Sequence, residues 1–186
     1  MTPQKIAVIG AGTMGSGIAQ VCATSGLEVV MIDVAPDALE RARATISQSV
    51  HKLHSKGKLT DEQKARAEHI AAATELSAAA DADLVIEAVN ENFGLKQQIF
   101  RELSTLTRPD AILASNTSSI SLTALAAFTN RPHKVIGMHF MNPVPLMQLV
   151  EVIRGLDTDQ ATVDTILQLS RDLGKTPVEA ADYPGF

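Results

Sequence analysis

Gly10-Ala11-Gly12-Thr13-Met14-Gly15 constrains this chain more than any other six residues. A G-x-G-x-x-G pattern is a weak signal alone, and its surroundings make this one strong. The apolar run Ile6-Ala7-Val8-Ile9 leads straight into it, and apolar Met14, Ile18, Val21 and Cys22 follow at helical spacing until Gly26 stops them. The unit therefore reads as strand, tight turn and helix. Within it Gly10 permits the turn, Gly12 lets a pyrophosphate come up to the backbone, and Gly15 lets the helix pack closely on the strand. The first N–H groups of a helix lack partners within it, and they carry the partial positive charge that an anion seeks.

A second apolar run at 28–33 ends in Asp33, 18 residues past Gly15. A carboxylate there can accept both adenosine ribose hydroxyls and would repel a 2′-phosphate, so the pattern predicts NAD rather than NADP. Gly10, Gly12, Thr13, Met14, Gly15 and Asp33 are the candidate cofactor contacts.

The remaining chain repeats the same alternation. Apolar runs at 84–89, 111–114, 134–139 and 147–153 are separated by helical stretches at 93–105 and 122–128, and a helix at 159–173 precedes a candidate last strand at 176–179. The runs are apolar throughout, as strands covered on both faces should be. The fold class is α/β: a Rossmann-like, doubly wound, mostly parallel sheet. Between strands two and three lie two polar helices, 38–56 and 60–72, joined at Lys56-Gly57-Lys58. The first shows no strong apolar stripe, so this inserted hairpin is expected to project from the sheet. The alanine-rich 70–82 reads as helix and linker.

Composition excludes several function classes. Of 186 residues 45% are apolar, which is too many for a disordered chain. No run of about 18 apolar residues is present, so no membrane span is expected. The net charge of −5, without a basic run, argues against a nucleic-acid partner. Cys22 is the single cysteine, which excludes an internal disulfide and a Cys-based zinc cage, and no metal is expected. The first residues leave no room for a targeting peptide, and a cytoplasmic location fits best.

In open α/β sheets chemistry sits at the carboxyl ends of the strands. Asn90, Glu91 and Asn92 fall there, as do Ser115 to Ser119, His139 and Asn142. Glu151 lies 12 residues past His139 and can reach its imidazole if the two strands pair through Asn142-Pro143-Val144-Pro145. A His–Glu pair is what alcohol oxidation needs, since a base must take the hydroxyl proton as hydride leaves carbon. On residue types alone His139 is equally a core histidine satisfied by the backbone. Ser118 and its neighbours could equally be a helix cap. The basic cluster His51, Lys52, His54, Lys56 and Lys58 reads more simply as a solvated face than as an anion site.

Four motifs in order carry a resemblance. Gly10-Ala11-Gly12-Thr13-Met14-Gly15, Glu87-Ala88-Val89-Asn90-Glu91-Asn92, Ser115-Asn116-Thr117-Ser118-Ser119 and His139-Phe140-Met141-Asn142-Pro143-Val144-Pro145 together resemble the NAD-binding domain of L-3-hydroxyacyl-CoA dehydrogenases, above all bacterial 3-hydroxybutyryl-CoA dehydrogenases. Met141 departs from the family's usual Phe, a volume-tolerant exchange. The resemblance implies an NAD-dependent oxidoreductase of fatty acid metabolism that moves hydride between NAD and C3 of an L-3-hydroxyacyl-CoA. It makes His139 the base and Glu151 its partner, with Ser118 and Asn142 on the substrate oxygens and the nicotinamide region. Glu91 and Lys96 would contact the nicotinamide half of NAD, and Ser49 and Lys56 the coenzyme A. The basic hairpin tip then becomes a partner for CoA phosphates. The resemblance also makes residues 1–186 the NAD-binding domain. Pro184-Gly185-Phe186 would be the junction to an absent helical domain that supplies the acyl pocket and a homodimer interface. Alone, this domain is expected to bind NAD and turn over poorly. A same-fold dehydrogenase of a non-CoA hydroxy substrate, or a catalytically silent NAD-binding module, are the alternatives.

Overall fold

The computed structural model describes residues 2–183. The strand–turn–helix unit forms as β1 (Lys5–Ile9) and α1 (Thr13–Thr24), followed by β2 (Glu28–Ile32). The hairpin is α2 (Pro36–Ser55) and α3 (Asp61–Glu68), and β3 (Ala71–Ala73) returns to the sheet. Then come β4 (Leu84–Glu87), α4 (Phe93–Leu106), β5 (Ile112–Ser115), α5 (Leu122–Ala126), β6 (Val135–Phe140), β7 (Leu149–Arg154), α6 (Gln160–Asp172) and β8 (Thr176–Ala181).

The strands form one sheet in the order β3-β2-β1-β4-β5-β6-β7-β8. Pairs from β3 through β6 are parallel, β7 runs antiparallel to β6, and β8 is parallel to β7. Strand alternation feeds a core on each face: Ile6 and Val8 of β1 pack on one side with Ile18 and Ile166, while Ala7 and Ile9 pack on the other with Phe100 and Leu103. The chain winds one way from β1 and the other way from β4, so a crevice opens beyond the carboxyl ends of these neighbours.

Two expectations are corrected. Residues 70–82 are not helix and linker: Ala71–Ala73 forms the edge strand, pairing with Val30, Met31 and Ile32, and a single 3-10 turn covers Leu76–Ala79. Three alanines carry no periodicity, and the strand exists because β2 offers an open edge. Nor does the hairpin simply project. Leu39, Ala42, Ile46 and Val50 form a buried stripe on α2 and join the core beside Ile18 and Cys22. Burying Leu39, Ile46 and Val50 stabilises the hairpin's seat by about 1.5–3 kcal/mol each. Arg66 of α3 adds a hydrogen bond from Nη1 to the Gly26 carbonyl at 3.1 Å. The expected capping box is present, with the Gln63 N–H on Thr60 Oγ1 and the Thr60 N–H on Gln63 Oε1.

Among the described residues no helix is long and apolar enough to cross a membrane. The expected junction at Pro184-Gly185-Phe186 lies outside the described residues.

Candidate active site

The glycine turn is built by close approach. Gly10 has φ +102°, and a Cβ there would stand 2.7 Å from the Ala88 carbonyl oxygen. A Cβ on Gly15 would collide with the Gly10 carbonyl. Gly12 differs: a Cβ on it would meet no heavy atom within 4 Å. It is the N-cap of α1 and supplies no side-chain cap, so the amides at Thr13, Met14 and Gly15 face an open approach. That is the form a phosphate cradle takes. Asp33 directly follows β2 at the same turn, where Oδ2 accepts the Ala11 N–H (2.8 Å) and Oδ1 the Ala35 N–H (3.0 Å). Each oxygen keeps further lone-pair capacity for a ribose hydroxyl. Beside Asp33 lies a cleft of about 220 Å³ with apolar walls of Ile32, Val34, Leu76, Leu95 and Ile99, suited to an adenine ring. Glycine turn, acid and apolar cleft fit a dinucleotide.

Beneath the next two strand ends lies a buried polar network. Glu87, fully buried at the end of β4, accepts from Lys96 Nζ (2.7 Å), the Val89 N–H (2.7 Å) and Ser115 Oγ (2.6 Å). Sequence reasoning assigned Glu87 no role; its signal is an acid inside an otherwise apolar run. Lys96 was expected at the cofactor, and its ammonium is placed in the interior, 1% exposed. Glu91 is half-exposed above it, holding the Ser118 N–H at 3.0 Å and Thr117 Oγ1 at 2.9 Å. Ser118 is exposed at the tip of that loop.

The conditional pairing of His139 with Glu151 is realised. β6 and β7 place them directly opposite, and Nδ1 lies 2.7 Å from Glu151 Oε2. A carboxylate acceptor at Nδ1 assigns the proton to that nitrogen and stabilises the ring when it is charged. Asn116 Oδ1 accepts the Phe140 N–H at 2.8 Å and ties the Ser118 loop to the end of β6.

Asn142 is exposed in the turn between these strands, before a cis bond to Pro143. Two contacts that sequence reasoning missed hold this turn. Lys175 donates from Nζ to the carbonyls of Val144 (2.5 Å) and Met147 (2.7 Å), and Val144 rests on Gly17, where a Cβ would lie 2.9 Å from it. Burial pushes the Lys175 ammonium below its ordinary value. On its outer side the turn meets the hairpin: Ser49, Lys52, Lys56 and Lys58 line a groove of about 420 Å³ with Pro143 and Leu146. Ser49 and Lys56, a full helical stretch apart, thus share one groove, while Ser118 sits on the loop after β5. Burial pushes the Cys22 thiol up to about 12, so it offers no thiolate near neutral pH. Among the described residues no cluster of three or more His, Cys, Asp or Glu could hold a metal.

A mostly parallel sheet with a glycine turn at its switch point and a histidine–carboxylate pair beyond it defines the dinucleotide-binding domain of a dehydrogenase. The comparisons narrow this class. A profile described as the NAD binding domain of 3-hydroxyacyl-CoA dehydrogenase matches residues 5–183, and the chain belongs to that family, with NAD as its cofactor. It is 52% identical over 182 residues to a probable 3-hydroxybutyryl-CoA dehydrogenase of Deinococcus radiodurans, covering 98% of this chain and 66% of that protein. It is 49% identical to the 3-hydroxybutyryl-CoA dehydrogenase of Bradyrhizobium diazoefficiens, covering 98% of this chain and 63% of that one. The crystal structure of (S)-3-hydroxybutyryl-CoA dehydrogenase from Ralstonia eutropha superposes with a TM-score of 0.95 at 46% identity, over 100% of this chain and 66% of that chain. The chain thus spans just under two thirds of the length of these relatives.

Proposed function

We propose that this domain, within the protein it serves, catalyses reversible hydride transfer between NAD and C3 of an L-3-hydroxyacyl-CoA, with 3-hydroxybutyryl-CoA and acetoacetyl-CoA as the pair. The observation that carries this reading is the His139–Glu151 pair at 2.7 Å beside the cofactor crevice. NAD, when bound, supplies the hydride acceptor. The chain's own residues do the rest. The N–H groups of the glycine turn hold the pyrophosphate, and Asp33 takes the adenosine ribose. Glu91 and Lys96 serve the nicotinamide half. His139, with Nδ1 kept protonated by Glu151, accepts the substrate's 3-hydroxyl proton through Nε2 as the C3 hydride leaves, and returns it in reduction. Ser118 and Asn142 donate to the substrate oxygens and fix its pose. Ser49 and Lys56 hold coenzyme A in the groove between hairpin and turn, with Lys52 and Lys58 adding positive charge for its phosphates.

The relatives' greater length leaves room for a second domain, which by the family resemblance would be helical, close the acyl pocket and form a homodimer. Residues 1–186 are therefore read as the NAD-binding domain, able to bind NADH and poor at turnover alone. A cytoplasmic location fits its single buried cysteine. The test is NADH oxidation with acetoacetyl-CoA, by residues 1–186 and by a chain carrying the second domain. Weak turnover by the first and full turnover by the second is expected. Equal rates would overturn the two-domain reading, and none from either the assignment of substrate. Coenzyme A should protect residues 49–56 from hydrogen exchange; no protection favours a non-CoA hydroxy substrate.

A further inference from the structure

Glu87 takes no part in the chemistry just described, yet it is completely buried and every partner it has leads to the cofactor loops. Its Oε1 accepts from Lys96 and from the Val89 N–H at the start of the loop that carries Glu91. Its Oε2 accepts from Ser115 Oγ, which itself accepts the Thr117 N–H at 3.2 Å. Thr117 Oγ1 then donates to Glu91, whose other oxygen takes the Ser118 N–H. The network runs beneath both loops, and only a 4.0 Å gap between Lys96 and Glu91 separates its ends from a ring.

Within the network Lys96 stands between two acids. Its Nζ is 2.7 Å from Glu87 Oε1 and 4.0 Å from Glu91 Oε2. The nearer, drier acid has the stronger hold, because Coulomb attraction grows as distance and local dielectric fall. Were Glu87 uncharged, the buried ammonium would have one carboxylate left within reach, and reaching it would draw Glu91 away from Ser118 and Thr117. Two carboxylates and one ammonium also leave the trio a formal charge of one negative unit.

We propose that Glu87 is a positioning residue that keeps Lys96 off Glu91, so that Glu91 holds the Ser118 loop and the trio's net negative charge favours the cationic nicotinamide of NAD⁺ over the neutral ring of NADH. This rests on the reading that Glu91 and Lys96 serve the nicotinamide half. The charge acts through space on the ring and the hydrogen bonds act on the loop, so the two effects have separate readouts.

The test is direct binding of NAD⁺ and of NADH by calorimetry, with amide exchange at residues 117–119. In Glu87→Gln the ratio Kd(NAD⁺)/Kd(NADH) should rise about three- to tenfold, and the Ser118 amide should exchange faster. Glu87→Gln/Lys96→Gln restores one net negative charge and leaves no ammonium to reach for Glu91. Its ratio should return to the wild-type value whatever its absolute affinities. Glu91→Gln, at a half-exposed side chain outside the buried Glu87–Lys96 pair, keeps the test decidable if Glu87→Gln does not fold: its ratio should rise as in Glu87→Gln. An equal loss of both affinities with an unchanged ratio in Glu87→Gln would make Glu87 merely structural and overturn the inference. So would an unchanged ratio in Glu91→Gln. Failure of the unaltered protein to bind either cofactor form would instead overturn the reading beneath it.

Discussion

His139 and Glu151 face one another across the antiparallel pair β6–β7, with Nδ1 and Oε2 2.7 Å apart. The turn that reverses the chain between these strands is also a wall of the hairpin groove, so the His139 imidazole and that groove are placed by one local element. In His139→Gln, turnover with acetoacetyl-CoA should fall about 10²–10⁴-fold in a chain carrying the second domain, while NADH affinity stays within about twofold. Glu151→Gln should lose turnover over a similar range, because the amide no longer enforces the Nδ1–H tautomer. Stopped-flow NADH oxidation and fluorescence titration separate the two quantities.

Gly12 and Gly15 should respond differently to the same added methyl group. The space at Gly12 is open in the protein, so Gly12→Ala should leave thermal stability nearly unchanged and weaken NADH binding by tenfold or more. Gly15→Ala drives a Cβ into the Gly10 carbonyl and should lower stability by about 1–3 kcal/mol along with affinity. Thermal melts with and without NADH distinguish them.

Asp182 should shape the acid limb of stability. Burial pushes its carboxyl up, but hydrogen bonds from Thr123, Ser121 and the Leu122 N–H outweigh burial and hold it below its ordinary value. A depressed folded-state value means the stabilisation is present above the unfolded value, about 3.9, and is lost as pH falls through the folded one. Asp182→Asn should lower Tm at pH 7 and flatten the loss of stability below about pH 4, read from melts across pH 2.5–7.

Lys175 should matter to the acyl-CoA and not to the cofactor. It fastens the 143–147 turn through two carbonyls, far along the chain from the glycine turn. Lys175→Met should raise KM for acetoacetyl-CoA several-fold, about 3–10, with NADH affinity unaltered. Steady-state kinetics with each substrate varied in turn would show it.

How much of this was legible in the sequence depends on how local each signal is. The glycine turn, the strands and the capping box at Thr60 were legible because backbone sterics and nearest-neighbour hydrogen bonds create them. The three-alanine edge strand was not, since its pairing comes entirely from β2. The buried stripe of α2 was hidden among charges because the helix is mostly polar.

The sequence by itself determined the strand–turn–helix unit, the acid that follows β2, and thus the class of cofactor, because these are short-range spacings along one chain segment. Only the tertiary structure decided that Lys96 turns inward to Glu87 and that Lys175 holds the turn before the hairpin groove. It also decided that His139 meets Glu151 in register. The physical reason is desolvation. A charge leaves water only where a partner meets it, and which groups meet is settled by the packing of helices and strands on the sheet.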